Sequence, residues 1–516
     1  MEGSFLACSF QLPAATCATG RYAPWVLLDS RAYFAVRENA TTAETVTSTG
    51  RTIKVTFCLA DPPAISRFWV HGPDFQRDDF TTEPLVLFSA KDLVLLRFSF
   101  TVGPRSTRRD VRLAEYFVYK AGHGKPPSLT PIPHTPPGTI NTFHICILPL
   151  DDDDDDKGGF LLADLFMTKL HVFSSKTARW TTTPLQLPIS PGVTEDDLPG
   201  RFLDKVIVLG GGAVGWVDLC RGIVSCNVFD KNPVLTFIPI PECCKAQIRT
   251  RGPRHVRDVT FCNGYFKFVE LDLRSKNKSH EMTDESSMLY DGWELQTWYR
   301  HTSWYYWHKG HTVDTDDISA DNLDSGTGLP LWLWCQLTPT LWDAQAGRWA
   351  LGNMISGYPI LGIDGGDVVY IMSKVTFGDK NSWMVGVDLA KKTVDVIVPI
   401  SPERVCFFNP KFITCEFSEY LNASPRSSTD LVNRAPNGFQ NYHLSSDCIT
   451  EGNLPPQQGK NSYYNGSSYA NLSSRPSSGN AQSTDPVAVV NTDAQHLPIP
   501  LEPTRLCGST HLYRLF

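Results

Sequence analysis

No run of about 18 apolar residues occurs in this chain, which excludes a transmembrane helix. No C-x-x-C spacing occurs either, although 14 cysteines are scattered along 516 residues. The amino-terminal stretch MEGSFLACSFQLP lacks a basic region and a sustained apolar segment, so a secretory signal is not expected. The expected location is intracellular, cytoplasm or nucleus. The cysteines are then expected to stay reduced, mostly as small buried hydrophobes, and sequons at Asn39 and Asn465 carry no meaning. Positive charge is also short: the net charge of −7 gives no general attraction to phosphate, so nucleic acid is not an expected partner. G-x-S-x-G, Walker A and H-E-x-x-H motifs are missing. Convincing amphipathic helices of about 12 residues or more are scarce.

What the chain does have is a recurring unit: an apolar strand, a short polar turn and a second apolar strand. Three copies are clear, Leu170 to Trp180, Val214 to Val228 and Met384 to Ile400. Leu85 to Phe100 is a fourth hairpin candidate, bending at Ser89 to Asp92. Asp61-Pro62-Pro63 reads as a turn between two further strands. Val394, Val396 and Val398 are expected on one face of a strand, since side chains alternate with period two. Short strands joined by tight turns bury apolar side chains only when many stack as sheets. The expectation is an all-β fold, a β-propeller-like repeat of small antiparallel sheets, with blade number and closure unspecified.

Along the chain, residues 1–23 read as a flexible leader and residues 24–423 as the propeller-like domain. The acidic loop 151–157 carries six consecutive aspartates, Asp151 to Asp156. Like charges on consecutive residues cannot enter a core, so the run is expected as a solvated loop between two sheets. After about Ser424 the chain turns to Ser, Asn, Gly, Gln and Pro, and residues 424–516 read as a disordered tail.

KVIVLGGGAVG matches a dinucleotide fingerprint at Gly210, Gly212 and Gly215, with Asp230 at the spacing of a ribose-binding acid. That chemistry needs a helix after the third glycine, whose amino terminus faces the phosphates. Here Trp216 and Val217 are mediocre helix formers, and Arg221-Gly222 reads as a turn. The expected reading is a glycine-rich turn entering a hairpin. The alternative is a nucleotide-cofactor-binding oxidoreductase using Gly210 to Gly215.

His308-x-x-His311, with His301, Asp314 and Asp316 nearby, could supply metal ligands. The stretch is polar, and surface histidines are the expectation, so no metal is assigned. The adjacent Cys243-Cys244 reads as a buried or half-buried pair. WELQTWYRHTSWYYWHKG places Trp293, Trp298, Trp304, Tyr305 and Trp307 in one stretch. As a strand pair it puts large rings on both faces. These rings either fill the core between sheets or form an exposed patch for a partner, since Trp and Tyr are enriched at interface hot spots.

PWVLLDSRAYF, RTIKVTFCLADPPAISRFWVHG, EYFVYKAG, VGWVDLCRGIVSCNVF with PVLTFIPIP, and RDVTFCNGYFKFVEL, taken together and in order, resemble the plant family called domain of unknown function 1618, which is expanded in grasses. The likeness runs along roughly residues 24–415, with a core from Gly215 to about Leu341. The resemblance implies a plant intracellular protein with no established activity and no catalytic residues to transfer. It also implies a β-propeller relative, similar to the kelch-type domains that follow F-boxes. No F-box-like helical segment is apparent. The function expected is non-enzymatic: a scaffold recognising an unidentified protein partner through rim loops and exposed aromatics, with no cofactor and no membrane. A degenerate propeller that is chiefly structural is a third possibility.

Overall fold

A computed structural model describes residues 21–101, 114–122, 124–133, 144–150, 158–166, 169–185, 203–241, 252–275, 290–318, 342–343, 348–349, 351–374, 382–400 and 412–422. The proposed disordered tail and Cys243-Cys244 lie outside these residues, as do almost all of the leader and the acidic aspartates themselves.

The described chain is a ring of six sheets, five of them antiparallel and the first mixed. The first contains β1 (Val26–Asp29), β2 (Tyr33–Phe34), β3 (Ala43–Val46), β4 (Thr52–Cys58) and β5 (Ile65–His71), with β1 and β2 both parallel to β5. The second is β6 (Phe80–Ala90), β7 (Leu93–Phe100), β8 (Ala114–Lys120) and β9 (Ser128–Pro131), and the third is β10 (Ile145–Pro149), β11 (Phe160–Phe166), β12 (Lys169–Ser174) and β13 (Arg179–Pro184). The fourth holds β14 (Lys205–Gly210), β15 (Ala213–Asp218), β16 (Gly222–Asn227) and β17 (Thr236–Pro239). The fifth holds β18 (Arg257–Cys262), β19 (Tyr265–Ser275), β20 (Tyr290–His301) and β21 (His308–Asp314). A two-stranded ladder, β22 (Trp342–Asp343) and β23 (Arg348–Trp349), precedes the sixth sheet. That sheet is β24 (Ile355–Leu361), β25 (Val368–Lys374), β26 (Ser382–Asp388) and β27 (Thr393–Ile400). In sheets two to six the strands pair in chain order, each with the next. The last strand, β28 (Phe412–Cys415), returns to the first sheet and pairs antiparallel with β1, giving the order β28-β1-β5-β4-β3.

Closure follows from packing. Each sheet is apolar on both faces and has to cover both. Phe57 and Phe68 of the first sheet pack with Phe98 and Phe117 of the second. Leu95 and Val118 meet Ile147 and Phe173 of the third. Cys146 and Ala163 meet Trp216 and Cys226 of the fourth, while Val217 and Ile223 meet Val259 and Phe268 of the fifth. Val269 and Trp293 meet Val369 and Val385 of the sixth. Finally Tyr370 and Met372 of the sixth pack with Trp25 and Leu27 of the first. An open row of six sheets has five interfaces; the sixth interface makes this a closed, six-bladed propeller-like ring.

Register bears on two sequence expectations, and corrects the second. The acidic run was expected between two sheets. The run itself lies outside the described residues; the strands before and after it in the chain, β10 and β11, pair with each other inside the third sheet. Val394, Val396 and Val398 were expected on one face. The register shifts where β26 pairs β27, between Gly386 and Val387. Val394 then packs toward the fifth sheet and Val398 toward the first. A bulge adds one residue and so reverses the side-chain alternation beyond it.

Polar staples cross the apolar interfaces. Arg257 donates to Glu270 at 2.8 Å and to the Leu219 carbonyl of the fourth sheet at 3.0 Å. Both side chains are buried, at 1% and 8% exposure, so neither charge is solvated. Lys205 donates to Asp258 at 2.9 Å, and the other Asp258 oxygen accepts from the Leu361 amide at 3.0 Å. One carboxylate thereby ties the fourth, fifth and sixth sheets together. Breaking a buried pair strands the surviving charge. Arg257→Ala is expected to cost roughly 3–5 kcal/mol, and Arg257→Met with Glu270→Leu to recover most of it. Urea denaturation of both variants reads the difference.

The second–third interface holds one carboxylate with no such staple. Asp164 on β11 is buried, and its Oδ1 has no hydrogen-bond partner. It pairs in register with Ile145 and His171. Burial pushes its carboxyl up to about 7. Tyr116 of the second sheet feels it: burial, and then Asp164, raise the Tyr116 hydroxyl, while Arg97 opposes them.

Candidate functional site: the aromatic turn of the fifth sheet

The β20–β21 hairpin carries the aromatic stretch, and its alternation sends the rings two ways. Trp293 is in the core between the fifth and sixth sheets, 2% exposed. Trp298 turns to the other face and packs on the fourth–fifth core. Their separation of five residues along β20 accounts for the change of side.

At the turn, two half-buried tryptophans hold the chain. Trp304 lies 4.6 Å from His308 and 5.7 Å from Tyr265, ring centre to ring centre. Its amide donates to the His301 carbonyl at 2.9 Å, and its carbonyl accepts from Arg300 Nε at 2.8 Å. Trp307 packs against Phe266 and Phe268, and its indole N–H donates to the Pro239 carbonyl of the fourth sheet at 2.7 Å. Thr302 donates to the Gly264 carbonyl at 3.0 Å, tying the turn to the β18–β19 hairpin. Between these anchors stand Tyr305 and Tyr306, 85% and 79% exposed. Two adjacent rings with few torsions, on a turn fixed at both ends, give contact area at low entropic cost. Tyr306 escaped the sequence reading; its signal is its place beside Tyr305 between two anchoring tryptophans.

The histidines do not converge as ligands. His301 Nδ1 shares a hydrogen bond with Ser303 Oγ at 2.7 Å, and His308 stacks on Tyr299. His311 faces Asp367 of the sixth sheet at 3.9 Å. Among the described residues, no group of three or more His, Cys, Asp or Glu side chains could hold a metal ion.

The glycine motif is a hairpin turn. β14 and β15 pair antiparallel, and Gly210, Gly211 and Gly212 take φ of 84°, 58° and 84° between them. A Cβ on Gly212 would come within 2.3 Å of the Phe229 ring, so the residue is set by turn and packing together. Gly215 lies mid-strand, wedged between Ile207 and Ile223. Trp216, the residue a cofactor helix would start from, is fully buried and donates from its indole to the His144 carbonyl at 2.8 Å. Asp230 is exposed in the turn after β16, whose Val228 amide donates to the Gly212 carbonyl and whose Phe229 ring packs on Gly212. With a second antiparallel strand where a helix is required, the oxidoreductase alternative has no phosphate cradle to stand on.

The fold therefore defines a class: a closed propeller-like scaffold, consistent with the kelch-type likeness. Residues 216–370 match the family described as "Protein of unknown function (DUF1618)". The matched segment begins inside β15 and ends inside β25, so it spans the whole fifth sheet and parts of both neighbours. No curated protein matches the chain. Among the described residues, no helix is long and apolar enough to cross a membrane.

Proposed function

We propose that the protein is a non-enzymatic recognition scaffold, and that the Tyr305–Tyr306 turn is one of its contact points for a protein partner. The observation that carries this is the contrast within one hairpin: Trp304 and Trp307 are spent on fixing the turn, while the two tyrosines between them touch solvent. Such rings favour association because they bury much area for little lost motion. Trp293 and Trp298 support the hairpin from the core side and are not contact residues in this reading. The proposal keeps residues 24–423 as one domain and places the protein inside the cell, a reading that the six unpaired described cysteines support.

The test is affinity capture from an extract of the source cells with the wild-type chain and with Tyr305→Ala/Tyr306→Ala. Both side chains are exposed, so melting should not change. The expected result is loss of a co-purifying protein from the variant. An identical captured set in both would overturn the assignment.

A further inference from the structure

A second surface, on the first sheet, has the chemistry of an anion receptor. Phe68 and Val70 of β5 point into the core, so Arg67, Trp69 and His71 share the opposite face. The parallel pairing of β2 with β5 sets Tyr33 beside Trp69. The result is a column of four side chains. The Arg67 guanidinium lies 5.4 Å from the Tyr33 ring centre, Tyr33 lies 5.7 Å from Trp69, and the Arg37 guanidinium lies 5.5 Å from Trp69. The column is held in place: the Tyr33 hydroxyl donates to Asp29 Oδ2 at 3.2 Å, and the Arg37 carbonyl accepts from Thr56 Oγ1 at 2.7 Å.

The two guanidiniums are not neutralised. Neither Arg37 nor Arg67 makes a side-chain hydrogen bond or ion pair among the described residues, and Arg67 Nε is buried without a partner. The neighbouring carboxylates are engaged elsewhere. Glu38 accepts from Lys54 at 2.7 Å and faces His71 at 3.4 Å, while Glu44 faces Lys54 at 3.5 Å. Lys54, and then His71, hold the Glu38 carboxyl below its usual range, so it stays committed to them. A guanidinium stacked on a ring uses its face and leaves its N–H edge free, and that edge matches a carboxylate in a two-bonded fork.

We infer that this column, Arg37–Trp69–Tyr33–Arg67, docks an acidic peptide segment of a protein partner, its carboxylates on the two guanidiniums and its apolar or aromatic side chains against the rings. A polyanion such as RNA would meet the same arginines, but one short column offers little to track a long phosphate backbone. The inference deepens the recognition reading with a ligand class at a separate surface, and it stands or falls independently of the Tyr305–Tyr306 turn.

The test uses the full chain and fluorescence anisotropy with three labelled probes: a peptide alternating Glu and Tyr, the same peptide with Lys for Glu, and single-stranded oligouridine RNA. The acidic peptide should bind, and binding should weaken as salt rises. Arg37→Gln changes an exposed side chain and should leave the melting temperature unchanged. It is expected to weaken the peptide about tenfold, the loss of one charge-assisted contact. Tyr305→Ala/Tyr306→Ala should leave peptide affinity as it was. Failure of the acidic peptide to bind, equal binding of the Lys peptide, tighter binding of RNA, or indifference to Arg37→Gln would each overturn the inference.

Discussion

A chain ending at Pro410 is expected to lose its cooperative thermal transition. The truncation removes β28, whose four residues pair with Val26 to Asp29 along the length of β1. It also removes Phe417, which is fully buried, with its ring 4.8 Å from Phe57 and 6.0 Å from Tyr119. Deleting a buried aromatic alone costs roughly 3–5 kcal/mol. Three further ties go with it: Glu416 Oε1 accepting from the Lys91 amide at 2.5 Å, Ser418 Oγ donating to the Ala23 carbonyl at 2.8 Å, and Asn422 Oδ1 accepting from the Tyr22 amide at 2.8 Å. A domain's net stability is about 5–15 kcal/mol, so the loss is of the same size as the whole. A chain ending at Ala423 keeps every one of these contacts and is expected to melt with the full-length protein. Calorimetry on both truncations reads the difference, and a Pro410 chain that melts normally would mean that β28 does not hold the ring.

Replacing Asp164 with Asn is expected to stabilise the protein above neutral pH, an unusual outcome for a buried position. The Asp164 carboxyl is pushed up to about 7 because burial disfavours its charged form. The folded state therefore binds a proton more tightly than the unfolded chain does. Stability from this group is fully present below the unfolded value near 3.8 and is lost as pH rises toward 7; above 7 the loss is complete. A shift of this size corresponds to an upper bound of ~4 kcal/mol. The buried amide of Asn, itself short of partners, takes part of that back. The net expectation is ~2 kcal/mol at pH 8, falling to nothing or reversing near pH 4. Asp204, pushed up to about 6 chiefly by burial, contributes a slope of the same sign to both proteins and cancels in the difference. The other groups beside Asp164 are Tyr116, Arg97, Cys146 and His171. Burial raises the Tyr116 hydroxyl and the Cys146 thiol, so neither titrates in this window. Burial, and then Lys169, lower His171, and this too is common to both proteins. Urea midpoints of both proteins across this pH range decide it; a variant less stable at every pH would refute the account.

Much of the fold was legible because it is local. Each of the three clear sequence hairpins is a hairpin in the ring, β12–β13, β15–β16 and β26–β27, and the Leu85–Phe100 unit is β6–β7 turning at Lys91-Asp92. A tight turn and two apolar strands are written within some fifteen residues, so pattern alone finds them. The glycine run was also read correctly as a turn, because the residues after it favour a strand over a helix. Closure was not legible. Val26 and Cys415 become neighbours from opposite ends of the described chain, and nothing in either segment names the other. The reversal at Val394 depends on a bulge, which leaves no mark in a run of valines. The site was half legible. Composition drew attention to Trp293, Trp298, Trp304, Tyr305 and Trp307, but only packing separates the buried or half-buried anchors from the exposed ring of Tyr305. The Arg37–Trp69–Tyr33–Arg67 column had no sequence signal, because its members meet only through the parallel pairing of β2 with β5.

Val26→Cys tests the closed ring most directly. Val26 and Cys415 are register partners on antiparallel strands, both buried in the first–second core, at a separation a disulfide can bridge. Mild oxidation of the variant should give a fast-migrating monomer on a non-reducing gel, with a raised melting temperature. The same change in a Cys415→Ser background should give neither. Absence of that cross-link in the folded, oxidised protein would place β28 elsewhere and contradict the return of the chain to the first sheet that fastens the ring.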